Sequence, residues 1–193
     1  LKSDREISGE YCFPREPVHE EKITFRDLSE YENVDFQGFR GDIYVKEAII
    51  PEGASVIPKS QFFECRSLEK VYLPESVSGI EDYAFADCHV LKVWESIEKL
   101  SLKSVGISAF ENCYALEFAS LPDSLTVIGG AAFAECVSVN KLIFSDTSLL
   151  KKIGDHAFRG CRNLKEVYLP DSVEYVGVSA FRDCSSLEQI SVS

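Results

Sequence analysis

The amino-acid sequence predicts an α/β solenoid, in which one short strand and one helical turn recur along most of the chain. The first observation is a phenylalanine that returns at steps of 23, 23, 25, 23, 25 and 23 residues, at Phe39, Phe62, Phe85, Phe110, Phe133, Phe158 and Phe181. The second is a shared pattern around it, clearest over residues 153–170, which reads I-G-x-x-A-F-x-x-C-x-x-L-x-x-V-x-L-P. A fixed period in this range indicates stacked repeats, each of which contacts only its neighbours.

The V-x-L part of each repeat predicts a short strand with one buried face, because two apolar positions alternate with a variable one. These positions hold Ile23/Phe25, Ala48/Ile50, Val71/Leu73, Trp94/Ser96, Ala119/Leu121, Leu142/Phe144, Val167/Leu169 and Ile190/Val192. Stacking predicts one parallel sheet of eight strands, about 4.8 Å apart. Trp94 could be read one residue out of register, but the phase relative to Phe110 favours an inward position.

The A-F-x-x-C-x-x-L part has apolar residues at every third position, which predicts a helical or 3₁₀ turn with one inward face. A glycine precedes this part at a constant place, in Gly106, Gly129, Gly154 and Gly177. A glycine repeated there indicates a tight turn that needs either a positive φ or a close approach of two backbones.

The repeats divide the chain into two regions. Residues 1–21 match no repeat, and we expect them to form an N-terminal cap or arm. Residues 22–193 form the repeat domain, with about seven repeats of 23–25 residues. The first repeat is degenerate, since Asp42 replaces its cysteine, and the last ends after its strand at Ser193.

Composition narrows the function classes. The net charge of −12 argues against binding to nucleic acid or anionic lipid, both of which need a basic surface. The sequence contains no run of about 18 apolar residues, so it predicts no membrane span. The chain begins at Leu1 and contains no Met, so we interpret it as a mature or trimmed form whose leader is not visible.

The pattern over Gly154–Pro170 resembles the BspA-like, Treponema pallidum-type leucine-rich repeat, and the resemblance covers residues 22–193. It implies a right-handed horseshoe with the parallel sheet on its concave face and short helical or 3₁₀ turns or loops on its convex face. It also implies a surface-exposed or secreted protein used in adhesion, with no catalytic residues. Departures from the pattern are Asp42 for Cys, Gln61 and Gly38 for Ala, Pro58 for Gly and Ser96 for a strand Leu.

Six of the seven cysteines occupy one repeat position, three residues after the phenylalanine: Cys65, Cys88, Cys113, Cys136, Cys161 and Cys184. Equivalent side chains in adjacent repeats point the same way, which is poor geometry for a disulfide. We therefore predict a reduced, buried column with no disulfide. Cys12 lies outside this column and is either free or paired between chains.

The sequence contains no motif that indicates a metal site, an active site or a cofactor-binding site. His19, His89 and His156 fall at unrelated repeat phases, so we predict no metal site. No nucleophile elbow, P-loop or dinucleotide fingerprint occurs, so we predict no catalytic residue and no cofactor. A glycosidase needs only two carboxylates, which leaves that enzyme class formally open.

Binding is expected on the outward residues of the strands. They mix aromatic and aliphatic side chains with charged ones, and the candidate ligand-binding residues are Tyr72, Phe118, Ile143, Tyr168, Lys70, Glu95, Lys141 and Glu166. Tyrosine amid adaptable polar groups is typical of protein-binding surfaces. Strand propensity alone also favours Tyr, Ile and Val, so packing is the competing interpretation.

These observations favour a non-catalytic interaction or adhesion module, displayed at the cell surface or secreted. Its predicted partner is a host or extracellular protein, or a glycan, held on the concave sheet. The alternative is a structural spacer or assembly unit of a longer surface protein. The expected state is a monomer or an end-stacked dimer, with no nucleic acid and no membrane insertion.

Overall fold

The chain folds into a parallel β-solenoid. The computed structural model describes residues 6–7, 22–25, 39–94, 100–118 and 120–192. Each turn of the solenoid passes through a long strand, a loop, a short strand and a turn around the repeated phenylalanine. We name the first surface the long-strand face, the second the short-strand face, and the third the Phe turns.

The long-strand face comprises β1 (Glu6–Ile7), β2 (Lys22–Phe25), β3 (Glu47–Ile49), β5 (Lys70–Tyr72), β7 (Val93–Trp94), β10 (Lys141–Ile143), β12 (Glu166–Leu169) and β14 (Gln189–Val192). All of its strand pairs are parallel, as predicted, and they form a five-stranded sheet, β1-β2-β3-β5-β7, and a three-stranded sheet, β10-β12-β14. The predicted single sheet of eight strands is therefore wrong for the described residues. The strand expected at Ala119 and Leu121 is represented there only by an isolated bridge from Ser120 to Ile143.

Register on the long-strand face follows the predicted repeat phase. Ala48 pairs with Val71, and Leu142 pairs with Val167, and all four are buried. Trp94 pairs with Val71, which confirms the favoured register of its repeat. Alternation of buried and outward residues is thus seen in β3, β5, β10 and β12, whereas Ile190 and Val192 of β14 are exposed.

The short-strand face comprises β4 (Val56–Ile57), β6 (Gly79–Ile80), β8 (Ser104–Val105), β9 (Val127–Ile128), β11 (Lys152–Ile153) and β13 (Tyr175–Val176). These strands form a parallel six-stranded sheet that the sequence analysis did not predict. The second residue of the first five strands is buried, in Ile57, Ile80, Val105, Ile128 and Ile153, whereas Val176 of β13 is exposed. The sequence signal was the β-branched residue that usually precedes the repeated glycine.

The Phe turns are not helical, and no described residue lies in a helix. The predicted helical or 3₁₀ turns are wrong because each turn from Phe62 to Phe181 holds two residues with positive φ, such as Tyr83 (59°) and Asp87 (62°) around Phe85. Left-handed residues interrupt a right-handed helix. The turns are held instead by bonds between repeats: the Phe85 N–H donates to the Ala109 carbonyl at 2.8 Å, and the Asp87 N–H donates to the Glu111 carbonyl at 2.8 Å.

The repeated phenylalanines form a continuous stack through the core. Successive rings from Phe39 to Phe181 have centroids 5.1–5.9 Å apart and lie within 14° of parallel. Five of these side chains, Phe62, Phe85, Phe110, Phe133 and Phe158, are fully buried. Apolar burial on this scale is the main stabilising term of the array.

The repeated glycines satisfy a close approach between backbones and have no positive φ. A Cβ built on Gly129 would lie 2.5 Å from the Gly106 carbonyl carbon, and one on Gly154 would lie 2.5 Å from the Gly130 nitrogen. Of the two explanations predicted for these glycines, the close approach is therefore confirmed.

Gln61 is the departure from the pattern with the clearest structural consequence. It occupies the position of Ala84 and Ala109 and is 1% exposed, yet neither its amide oxygen nor its amide nitrogen has a hydrogen-bond partner. An unpaired buried amide is unfavourable for folding. The repeat that contains Gln61 is thus less well satisfied than those that carry alanine.

Candidate interaction face

The long-strand face arranges its outward side chains in two columns. Register aligns Lys22, Glu47 and Lys70 in the first sheet, and Lys141, Glu166 and Gln189 in the second. It aligns Thr24, Ile49 and Tyr72 as a second column, which continues through Ser120, Ile143, Tyr168 and Ser191. The repeat period alone therefore brings distant residues onto one surface.

The first column is a ladder of opposite charges. Lys141 Nζ lies 3.0 Å from Glu166 Oε2, and Lys22 Nζ lies 3.5 Å from Glu47 Oε2. The hydrogen bond to Glu166, followed by the attraction of its charge, raises the pKa of Lys141. Opposite charges on adjacent strands stabilise a sheet. The predicted contact residues Lys141 and Glu166 are thus partners of each other, so a ligand would have to share them.

The second column carries the apolar contact area. Ile49 lies beside Tyr72, and Ile143 lies beside Tyr168, so that two Ile–Tyr pairs occur on the face. Ile143 is 39% exposed, while the other three side chains are half-buried. Both pairs keep aromatic and aliphatic surface in contact with solvent.

Phe118 does not share the outward orientation predicted for it. Its ring packs against Phe133, with centroids 5.1 Å apart and planes at 59°, and it is half-buried. Since residue 118 lies outside any strand, no ladder directs its side chain outward, and the apolar ring packs against the core instead. Glu95 lies outside the described residues.

The cysteine column lies in the core. All six thiols are free and buried, and each S–H donates to the phenylalanine carbonyl of the preceding repeat, from Cys65 to Phe39 at 2.9 Å through Cys184 to Phe158 at 3.2 Å. Burial raises the pKa of every thiol, to about 11 for Cys184 and further for the others. A thiolate is the reactive form of cysteine, so this column packs and does not react near neutral pH. Cys12 lies outside the described residues.

These buried thiols predict a pH dependence of stability. The pKa of Cys113 is raised in the folded state, so its contribution is complete below the unfolded pKa of about 8.5 and is lost as the pH rises toward the folded value. The unfolded chain releases this proton and the folded chain retains it. We expect Cys113→Ala to reduce the fall in unfolding free energy by about 1.4 kcal/mol per pH unit above about pH 9. Urea denaturation at a series of pH values measures the two slopes, and equal slopes would contradict the prediction.

Other site types have no counterpart in the described part of the chain. There, no group of three or more His, Cys, Asp or Glu side chains is arranged to hold a metal ion. Nor do residues in the described ranges form a helix of the length and apolarity needed to cross a membrane.

Solved structures similar to this fold include three leucine-rich repeat proteins. The leucine-rich repeat protein of Treponema pallidum has a TM-score of 0.75 and 26% identity, over 88% of this chain and 79% of that one. A leucine-rich repeat protein from Bacteroides ovatus has a TM-score of 0.69 and 31% identity, over 83% and 40%. A leucine-rich cell surface protein from Faecalibacterium prausnitzii has a TM-score of 0.68 and 23% identity, over 98% and 46%. The chain thus spans most of the first protein and less than half of the other two.

No curated protein matches the chain significantly. The model of the BspA-type leucine-rich repeat region matches residues 5–133 and 103–193, with six copies of the repeat. Leucine-rich repeat domains generally mediate protein interaction, and the match indicates no catalytic family. From the repeat model and the solenoid together, this chain belongs to the BspA-type leucine-rich repeat family.

Proposed function

We propose that this protein is a non-catalytic adhesion or interaction module, displayed at the cell surface or secreted, that binds a host or extracellular protein. In this proposal the long-strand face is the concave face of a right-handed horseshoe. The location at the cell surface is inferred for this chain from its resemblance to the family.

The second outward column of the long-strand face carries the proposal. Its two Ile–Tyr pairs, Ile49/Tyr72 and Ile143/Tyr168, put large rigid side chains on a sheet whose charged neighbours already pair with each other. Tyrosine supplies a large contact area for little loss of side-chain entropy, and it is enriched among residues that dominate binding energy. The charges of the first column, such as Lys141 and Glu166, pair with each other, so we expect them to contribute to specificity more than to affinity. The tyrosines are therefore the expected anchors.

The test replaces both anchors, as Tyr72→Ser with Tyr168→Ser, and measures binding to a panel of immobilised extracellular-matrix and mucosal proteins. We expect the double variant to lose at least about tenfold in affinity for the panel member that the wild type binds, since each anchor contributes about 1–2 kcal/mol or more. We expect the melting temperature to change by only a few degrees, since neither ring lies in the buried core.

The matched control is Tyr83→Ser with Tyr114→Ser, two tyrosines of the Phe turns that are 37% and 41% exposed. This variant should bind like the wild type. Equal loss in both double variants would show that the tyrosines of the long-strand face have no special role. A wild-type chain that binds no panel member would contradict the proposal outright.

A further inference from the structure

A row of carboxylates follows the long-strand face along one edge. Directly after five of the long-strand segments, the loops carry Glu52, Glu75, Asp123, Asp146 and Asp171, and all five are exposed. We name this row the carboxylate ridge. Stacking of repeats spaces neighbouring members about 4.8 Å apart, or about twice that where a repeat intervenes. Like charges at this separation repel each other.

Charges elsewhere on this face balance. The opposite edge of the strands carries Lys46, Lys92 and Lys165 against Glu69, Glu117 and Glu188. The first outward column carries three lysines and two glutamates among its described members. By contrast, no lysine or arginine occurs in the loops that carry the carboxylate ridge, which are residues 51–54, 74–77, 122–125, 145–150 and 170–173. Within the described ranges, no ridge carboxylate forms an ion pair, although pairs occur on the sheet and on the Phe turns.

Hydroxyl groups tie the loops of the ridge together. Ser76 Oγ donates to the Ala54 carbonyl and Ser172 Oγ donates to the Leu150 carbonyl, each at 2.8 Å, so that successive loops are tied together. Asp123 accepts hydrogen bonds of 2.7 Å from the hydroxyls of Ser145 and Thr147 in the next loop. The backbone of these loops and the Asp123 carboxylate are therefore held in position before any partner arrives, which lowers the entropic cost of binding.

We propose that the partner of the long-strand face is a basic protein segment, which places apolar side chains on the Ile–Tyr pairs and lysine or arginine side chains along the carboxylate ridge. The inference rests on the proposed function and adds the charge and orientation of the ligand to it. Because the opposite edge is balanced, the field across the face is asymmetric, and only one orientation of a segment with a basic edge is complementary. Lysine or arginine side chains of the partner gain Coulomb stabilisation beside the unpaired ridge carboxylates. They would gain less at the rest of the face, where the charges balance.

The test uses the full chain and three synthetic twelve-residue peptides as probes: alternating Leu and Lys, alternating Leu and Glu, and alternating Ser and Lys. Fluorescence anisotropy measures their binding at about 0.05 M and about 0.5 M salt. We expect the Leu–Lys peptide to bind at least about tenfold tighter than either other peptide, and to lose most of that advantage over the Leu–Glu peptide at high salt.

Two charge variants localise the effect. The ridge variant combines Glu75→Gln, Asp146→Asn and Asp171→Asn, and it leaves the hydrogen-bonded Asp123 intact. The control combines Glu69→Gln, Glu117→Gln and Glu188→Gln on the opposite edge, so both variants lose three negative charges. We expect the ridge variant to weaken binding of the Leu–Lys peptide by about tenfold or more, and the control to change it by less than about twofold.

The outcomes separate the inference from the proposed function. Equal weakening in both charge variants, or a Leu–Glu peptide that binds as tightly as the Leu–Lys peptide, would overturn the inference. If the Tyr72→Ser, Tyr168→Ser variant still lost binding to its protein partner, the proposed function would stand without a basic ligand. If the ridge variant lost binding and the tyrosine variant did not, the proposed function would fail, and so would the part of the inference that places apolar side chains on the Ile–Tyr pairs.

Discussion

Replacing Phe85 by alanine is expected to lower the free energy of unfolding by about 3–5 kcal/mol. The Phe85 ring is 1% exposed and lies between Phe62, at 5.2 Å, and Phe110, at 5.1 Å. Its removal leaves a cavity in a stack that continues on both sides, and the neighbouring backbones are tied together through the Phe turns, so the cavity cannot close. Urea denaturation followed by circular dichroism measures the loss.

Phe63→Ala is the matched control for this prediction. Phe63 is half-buried at the surface of the Phe turns, where its ring meets the edge of Tyr83 at 6.5 Å. Its removal exposes little core, and we expect a loss of about 1 kcal/mol. A similar loss for both variants would mean that the continuous stack contributes no more than an ordinary surface contact.

Much of the fold follows from the sequence because one period determines which residues meet. The register that places Trp94 beside Val71 follows from the distance of each to its phenylalanine. The helical turns were a wrong prediction, since an apolar residue at every third position is common to a helical turn and to a stacked turn. Positive φ would have separated the two, and it occurs in part at residue types that favour it, such as Asp87 and Asn112, but also at Tyr83 and Ala131, whose types carry no signal for it.

The candidate site was predictable to a lesser degree. The columns that contain Tyr72 and Tyr168 follow from the strand period, whereas the inward packing of Phe118 depends on a local loss of strand pairing that no residue type announces. The carboxylate ridge was readable as an acidic residue after the proline in Glu52, Glu75, Asp123 and Asp171. It was missed because the net charge was interpreted for the chain as a whole, without assigning it to faces.

Replacing Gly154 by alanine is expected to lower the free energy of unfolding by about 3 kcal/mol, although only one methyl group is added. The new Cβ would lie 2.5 Å from the Gly130 nitrogen and 2.6 Å from the Gly129 carbonyl carbon. Both are backbone atoms of the preceding repeat, so no side chain can rotate away and the two repeats must separate. Separation would weaken the hydrogen bond of 2.8 Å from the Gly154 N–H to the Ile128 carbonyl. It would also weaken the packing of the core side chains between the two repeats.

Gly79→Ala shows whether contact, and not the loss of a glycine, causes that effect. Gly79 lies in β6 of the short-strand face, but a Cβ there would meet only Ser104 Oγ and Val56 Cγ2, both at an ordinary 3.5 Å. We expect this variant to be neutral or more stable by about 0.4–1 kcal/mol, since alanine restricts the unfolded chain. Comparable losses for both variants would show that the spacing between repeats is not limited at Gly154. The opposite signs expected here would mean that the repeated glycine sets how closely one repeat stacks on the next, and hence the spacing of every residue on the long-strand face.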